Sequence, residues 1–173
     1  MANNPRRVYW DACTWIALIQ RENIVVGGSD RDTLCRAVIA EAKKDRIEIL
    51  TSTFSLVEVC KDSKIRTSKE DQIGAYFEND YILLMNVDRL VGEHARKLMA
   101  AGHPALKPAD AIHLASAVLG NVTEFHTFDG DGKKPGLLDL DQKIDRLDGG
   151  KLSICTPDVG GPPPPLLGEM QKP

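Results

Sequence analysis

Short apolar runs alternate along this chain with longer segments in which apolar residues recur every three or four positions. Short runs of β-favouring residues predict strands, and the longer periodic segments predict helices. Strands that alternate with helices form a parallel sheet covered by helices, so the pattern predicts an α/β fold. The predicted strands are residues 7–10, 47–50, 82–85, 124–127 and 152–155.

The helical segments carry start and stop signals. Residues 29–32 resemble a capping box in which Asp replaces the usual Glu. Pro108 suits the first position of a helix over residues 109–119, and Gly102 suits the end of the helix before it. Other helices are predicted to begin near Thr14, after Ser52 or Thr53, around residue 73 and around residue 90, with a weaker helix over residues 139–147.

Length and composition predict one domain and a tail. The chain has 173 residues, which suits a single domain over residues 1–156. Residues 157–173 contain a Gly-Gly pair and four consecutive prolines, a composition typical of a disordered or extended tail.

The composition is that of a soluble globular protein, with 42% hydrophobic and 27% charged residues. No apolar run approaches the roughly 20 residues of a membrane span, and the N-terminal residues lack a signal peptide pattern, so we expect a cytoplasmic protein without membrane contact. The four cysteines and four histidines lack metal-binding spacing, which predicts buried free thiols rather than a zinc site. A net charge of −3 argues against a surface that is basic throughout.

Four acids are predicted to meet at one edge of the sheet. Asp11, Glu58 and Asp129 each follow a predicted strand, and Asp110 lies at the start of the helix opened by Pro108. Ligands bind at the carboxyl ends of parallel strands. Carboxylates that converge there need a cation, and oxygen ligands suit Mg²⁺ or Mn²⁺. Such a site can activate water for phosphodiester hydrolysis.

Each acid taken singly also has an ordinary structural interpretation. Asp11 suits a helix cap, Asp110 a favourable charge in a first helical turn, and Asp129 a turn residue. Glu58 is harder to explain in this way, because it lies among apolar residues where an unpaired carboxylate is costly. The prediction of a metal site therefore depends on the joint placement of the four acids.

At these residues the chain resembles the PIN-domain nucleases, in particular the VapC-like toxins. Four segments between Val8 and Cys155 carry the resemblance, and the segment around Asp110 is the most specific of them. The segments are Val8-Tyr9-Trp10-Asp11-Ala12-Cys13-Thr14, Thr51-Ser52-Thr53-Phe54-Ser55-Leu56-Val57-Glu58, Asp110-Ala111-Ile112-His113-Leu114-Ala115-Ser116-Ala117 and Thr127-Phe128-Asp129. Cys13 stands where the family commonly has a hydroxyl or an amide, which puts a hydrogen bond there in doubt and makes Thr14 its candidate replacement.

The resemblance implies a three-layer α/β/α fold with strand order 3-2-1-4-5. It implies an endoribonuclease that depends on Mg²⁺ or Mn²⁺, often a toxin neutralised by a small antitoxin, with homodimerisation as a further expectation. The implied metal-binding and catalytic residues are Asp11, Glu58, Asp110 and Asp129, and the supporting residues are Thr14, Ser52, Thr127 and Asp131.

Contacts with RNA are predicted from charge. Lys61, Lys64 and Arg66 follow Glu58 and can line a groove that holds phosphates, although a run of charges is commonly a solvated face. His113 lies one turn after Asp110, within reach of the site, but a packed helix histidine is the favoured interpretation.

Three other functions would account for part of this pattern. A phosphatase of the haloacid dehalogenase type needs an acid where Cys13 stands, and a calcium loop starting at Asp129 would place Leu140 at the position of the bidentate glutamate, so both fail. A PIN-like domain that binds RNA or protein without catalysis remains an alternative, against which the presence of all four acids weighs.

Overall fold

A parallel five-stranded sheet forms the centre of the molecule in the computed structural model, which describes residues 5–68, 70–103 and 106–160. The strands are β1 (Arg6–Trp10), β2 (Val25–Val26), β3 (Ser29–Asp30), β4 (Ile47–Ser52), β5 (Ile82–Met85), β6 (Glu124–His126) and β7 (Ser153–Cys155). The sheet has the order β5-β4-β1-β6-β7, and each neighbouring pair is parallel. This confirms the predicted strands and their order.

Helices cover both faces of the sheet. They are α1 (Ala12–Gln20), α2 (Arg31–Ala42), α3 (Thr53–Glu58), α4 (Ser63–Ser68), α5 (Glu70–Phe77), α6 (Arg89–Ala100) and α7 (Pro108–Leu119), with 3₁₀ turns at Val59–Lys61 and Leu137–Leu140. Helices α1 and α2 pack on the face to which β1 contributes Val8 and Trp10, and α7 packs on the face to which it contributes Tyr9. These three layers confirm the predicted α/β/α fold.

A small antiparallel hairpin, β2 with β3, was not predicted. Its turn is Gly27-Gly28, where both residues have positive φ, +59° and +92°. Two-residue hairpin turns require this left-handed backbone, which glycine adopts without strain. The Gly-Gly pair was therefore the available signal.

The predicted helix over residues 139–147 is wrong. Only Leu137–Leu140 is helical, and the backbone after it bonds across to the next segment: Gln142 N–H donates to Leu152 O, and Leu152 N–H donates to Ile144 O. Leu147, which would continue the apolar stripe of Leu140 and Ile144 in the predicted helix, is 62% exposed. The apolar spacing arose because Leu140 and Ile144 are buried in a non-helical return to β7.

Two helix starts also differ from the prediction. Helix α1 begins at Ala12 rather than Thr14, because Asp11 caps it. Helix α2 is capped by Asp30, whose carboxylate accepts from Thr33 N–H at 2.7 Å, and not by a box starting at Ser29. In both cases a short acid accepts a first-turn N–H that would otherwise lack a partner.

The predicted tail lies largely outside the described residues. Residues 157–160 have no regular secondary structure, and residues 161–173 are not described. Among the described residues, no helix is both long enough and apolar enough to cross a membrane.

Candidate functional site

The four predicted acids line one cleft at the carboxyl edge of the sheet. Asp11 follows β1, Glu58 ends α3, and Asp110 lies in the first turn of α7. The cleft has a volume of about 130 Å³ and is lined by Asp11, Ala12, Cys13, Glu58, Lys61, Lys107, Asp110, His113 and Asp129. Residues distant in sequence are therefore brought together, as the joint placement predicted.

Asp11 is the most buried of the four, at 4% exposure. Its Oδ1 accepts hydrogen bonds from the backbone N–H and the hydroxyl of Thr14, each at 3.0 Å. Its Oδ2 accepts from the Thr127 hydroxyl at 2.6 Å. Asp11 thus caps α1 and also lies in the cleft, so the two interpretations of this residue do not exclude each other.

Cys13 does support Asp11, against expectation. Its Sγ lies 3.0 and 3.1 Å from the two carboxylate oxygens, and it accepts a hydrogen bond from Phe128 N–H at 3.2 Å. Burial and the negative charge of Asp11 raise the pKa of the Cys13 thiol well above its usual range. The thiol therefore keeps its proton and can donate it to Asp11.

Glu58 is held from two sides. Its Oε2 lies 2.6 Å from His113 Nε2, and its Oε1 forms an ion pair with Lys61. Burial alone would raise the pKa of Glu58, but His113 and Lys61 outweigh it and lower the pKa to about 2. Glu58 is therefore a charged carboxylate at neutral pH.

The pKa of Asp110 is raised, and the negative charge of the cleft contributes to that shift. Burial raises its pKa, the backbone N–H of Lys107 opposes this at 3.2 Å, and the charges of Asp129 and Glu58 raise it further. Asp129 and Glu58 disfavour the ionisation of Asp110 because they carry the same charge and lie close to it. A divalent cation would relieve that repulsion, and the four carboxylates are the oxygen donors that Mg²⁺ or Mn²⁺ prefers.

Asp129 lies in a loop that closes tightly on itself. Its Oδ2 accepts from Leu137 N–H at 3.1 Å, and its carbonyl accepts from Leu138 N–H at 3.0 Å. A Cβ at Gly136 would lie only 2.5 Å from the Asp129 carbonyl carbon and 2.8 Å from its Cγ. Gly136 is therefore required for the close approach that orients this acid.

The predicted supporting residues divide into two pairs. Thr14 and Thr127 both donate to Asp11. Ser52 is buried beside the Tyr9 phenol and makes no hydrogen bond of good geometry with any described residue. Asp131 lies outside the cleft lining, because it is paired with Arg31 at 2.6 Å.

The predicted RNA-binding cations are also divided. Lys61 lines the cleft, whereas Lys64 and Arg66 lie exposed on α4, beyond the described lining residues. Lys107, which the charge pattern did not single out, also lines the cleft, from the start of α7. Its position next to Pro108, at the N-cap of α7, was the available signal.

His113 lines the cleft, so the alternative interpretation of this residue holds rather than the favoured one, a packed helix histidine. It is 2% exposed, and it contacts Glu58 through Nε2 and the Tyr9 hydroxyl through Nδ1 at 2.9 Å. Its spacing of three residues from Asp110, which puts both on one helix face, was the available signal.

A second polar cluster lies where β6 meets β7. One ligand atom from each of Glu124, His126 and Cys155 lies within 4.8 Å of the others. However, the indole N–H of Trp10 donates to His126 Nδ1 at 3.1 Å. The neutral ring then carries its proton on Nε2, the atom that a metal would need as a lone pair. The cluster is therefore not prepared to bind a metal.

Comparison with known proteins gives a consistent fold. A sequence-family model described as PIN domain matches residues 8–136. The crystal structure of Mycobacterium tuberculosis VapC20, described as a sarcin-ricin loop cleaving toxin, aligns with a TM-score of 0.57 at 18% identity, covering 72% of this chain and 91% of that one. A toxin-antitoxin complex from Klebsiella pneumoniae aligns with a TM-score of 0.53 at 17% identity, covering 71% and 87%. No curated protein matches the sequence significantly.

Proposed function

Because the chain belongs to the PIN-domain family, we propose that it is a divalent-metal-dependent endoribonuclease that hydrolyses phosphodiester bonds of single-stranded RNA. The observation that carries the proposal is the convergence of Asp11, Glu58, Asp110 and Asp129 on one cleft. Burial is the main cause that raises the pKa of Asp110, and the nearby charges of Asp129 and Glu58, which a bound cation would offset, raise it further.

The four acids are the proposed ligands of Mg²⁺ or Mn²⁺. A cation held there would supply a polarised water and would offset the charge that develops on the phosphate. Asp11 is fixed for this role by Thr14, Cys13 and Thr127, so that its carboxylate does not need to reorganise. Donors fixed in advance in this way lower the cost of assembling the reactive geometry.

RNA would approach across the cationic side chains in and beside the cleft, which we call the rim: Lys61, Lys107, Lys64 and Arg66. Lys61 and Lys107 line the cleft itself, and Lys64 and Arg66 extend the positive charge along α4. Phosphate contacts of this kind position a strand without reading its sequence. The rim therefore supports binding of a nucleic acid backbone despite a net charge of −3.

We further propose that the protein acts as the toxin of a type II toxin-antitoxin pair. The support is the similarity in fold to a structure described as a toxin and to one described as a toxin-antitoxin complex. The small antitoxin would be encoded beside this chain and would co-purify with it on joint expression. A homodimer is part of the same proposal, and light scattering of the purified chain tests it.

The deciding experiment compares two aspartates that both cap helices. Asp11→Asn removes a charge from the cleft, whereas Asp30→Asn removes a charge from the cap of α2, away from the cleft, and keeps an oxygen that can accept the capping hydrogen bond. Cleavage of a fluorescent single-stranded RNA with Mn²⁺ should be abolished by Asp11→Asn and by EDTA and retained by Asp30→Asn. Circular dichroism would verify that both variants fold.

Full cleavage by the Asp11→Asn protein, or in excess EDTA, would refute the metal mechanism. RNA binding by the wild-type protein without metal-dependent cleavage would favour the non-catalytic module instead.

A further inference from the structure

A buried histidine that lines the cleft contacts one oxygen of Glu58, and a buried tyrosine contacts that histidine. The Tyr9 hydroxyl is 2.9 Å from His113 Nδ1, and His113 Nε2 is 2.6 Å from Glu58 Oε2. Tyr9 is 0% exposed and His113 is 2% exposed. These three side chains come from β1, α7 and α3. The contacts therefore connect the sheet to two of the helices that line the cleft, α3 and α7.

When the His113 ring is neutral, the chemistry of its two partners fixes the direction of both hydrogen bonds. An ionised carboxylate only accepts, so His113 Nε2 must carry a proton to bond Glu58. A neutral imidazole has one ring proton, so Nδ1 then accepts from the Tyr9 hydroxyl. Tyr9 thereby selects the tautomer that holds Glu58, because the other tautomer would present a lone pair to the carboxylate.

The packing around the ring prevents other arrangements. Phe54 lies against His113 with ring centroids 5.5 Å apart, and Tyr9 stacks on Phe125 at 5.1 Å. Close-packed rings of this kind exchange conformations only at a cost in packing. His113 therefore keeps one orientation relative to Glu58.

The two oxygens of Glu58 are held very differently. Oε2 is held by the buried His113, whereas Oε1 faces Lys61, whose side chain is 63% exposed. A long exposed lysine can move aside with little change in packing, but a buried ring cannot. The arrangement leaves one oxygen exchangeable with an incoming cation while the other anchors the carboxylate.

We propose that Tyr9 and His113 are positioning residues, which hold Oε2 of Glu58 so that its Oε1 can bind the divalent cation. This inference rests on the proposed function, since it assumes that Glu58 is a metal ligand. Groups that orient metal ligands through hydrogen bonds commonly change metal affinity about 10- to 100-fold when they are removed.

The test measures Mn²⁺ binding to full-length protein by isothermal titration calorimetry, together with the melting temperature of the metal-free protein. Tyr9→Phe removes one hydroxyl and keeps the ring. His113→Met removes the donor to Glu58, and His113→Gln keeps an amide N–H near the position of Nε2. Tyr81→Phe, on a tyrosine outside the described cleft lining, is the matched control.

Tyr9→Phe and His113→Met should each weaken Mn²⁺ binding by about 10-fold or more, whereas Tyr81→Phe should leave it unchanged. His113→Gln should recover most of the affinity lost in His113→Met. Tyr9→Phe keeps the result interpretable if His113→Met fails to fold.

Lower melting temperatures with unchanged Mn²⁺ affinity in Tyr9→Phe and His113→Met would overturn the inference, because that is the outcome of a purely structural role. A wild-type protein that binds no Mn²⁺ would overturn both the inference and the proposed metal mechanism. Mn²⁺ binding that depends on Tyr9, without any RNA cleavage, would support the positioning role while contradicting the nuclease function.

Discussion

Two glutamate-histidine contacts lie on opposite sides of one sheet, and the contact between Glu58 and His113 lines the acidic cleft. Glu58 and His113 meet at 2.6 Å on the side covered by α7. Glu124 and His126 lie 3.5 Å apart on the side covered by α1 and α2. The two contacts use the same residue types, so their surroundings decide what each can do.

The histidines are oriented in the same way. Tyr9 and Trp10 are consecutive in β1 and therefore point to opposite faces of the sheet. Tyr9 lies against His113 Nδ1 at 2.9 Å, and Trp10 donates to His126 Nδ1 at 3.1 Å. One strand thus fixes the tautomer of both rings, and each Nε2 proton points towards a glutamate.

The carboxylates differ in what balances their charge. Glu124 pairs with the Arg6 guanidinium at 2.5 Å, and Arg6 is itself tied to the carbonyl of Asp158 at 2.9 Å. Glu58 is paired with a largely exposed lysine and shares its cleft with other acids. A carboxylate-histidine contact therefore indicates a functional site only where negative charge remains exposed to a ligand.

The largest expected difference is between two variants, each of which removes the carboxylate of one of these glutamates. Glu58→Gln keeps an oxygen near His113 but removes the charge offered to the cation, so RNA cleavage should fall by at least about 100-fold. Glu124→Gln should leave kcat/KM for the same RNA close to the wild-type value. Cleavage rates with Mn²⁺, normalised to folded protein, make the comparison, and an equal loss in both variants would contradict it.

The sequence predicted the sheet well, because buried parallel strands are nearly continuous apolar runs with few alternatives. It failed after Asp129, where Leu140 and Ile144 have helical spacing but are buried by a return to β7. That return depends on a distant contact, the Asp141 carboxylate accepting from Ile154 N–H at 2.7 Å. Local spacing does not contain such a contact.

The four acids were predictable because each has a fixed relation to a strand end or a helix start. The residues behind them were not. Tyr9 looked like any other residue of a buried strand, and its contact with His113 joins positions 104 residues apart. Likewise, Asp131 carries a carboxylate that could bind a metal, and only the fold reveals that it forms an ion pair with Arg31.

A smaller effect is expected on acid stability. Burial would raise the pKa of Glu124, but His126 and Arg6 outweigh it and lower the pKa below the ordinary 4.5. A carboxylate whose pKa is lower in the folded state stabilises the fold above its unfolded pKa, and this contribution is lost as pH falls through the folded value. Glu124→Gln should therefore lower the melting temperature at pH 7, by about 2–4 °C for each kcal/mol lost.

The difference between the Glu124→Gln and wild-type melting temperatures should shrink as the pH falls below about 4.5. Thermal melts by circular dichroism at several pH values measure it. A constant difference down to the most acidic samples would show that the charge of Glu124 is not what stabilises the fold.

The smallest effect is expected when a metal ion is added at Glu124, His126 and Cys155, where we predict that no metal binds. Co²⁺ bound to a thiolate gives a strong charge-transfer absorption, which binding to carboxylates alone does not. We expect no such band when Co²⁺ is added to the wild-type protein, because His126 Nε2 carries a proton and burial raises the pKa of the Cys155 thiol to about 12. A band that disappears in Cys155→Ser would instead establish a second metal site, and would require Trp10 to give up its hydrogen bond to His126.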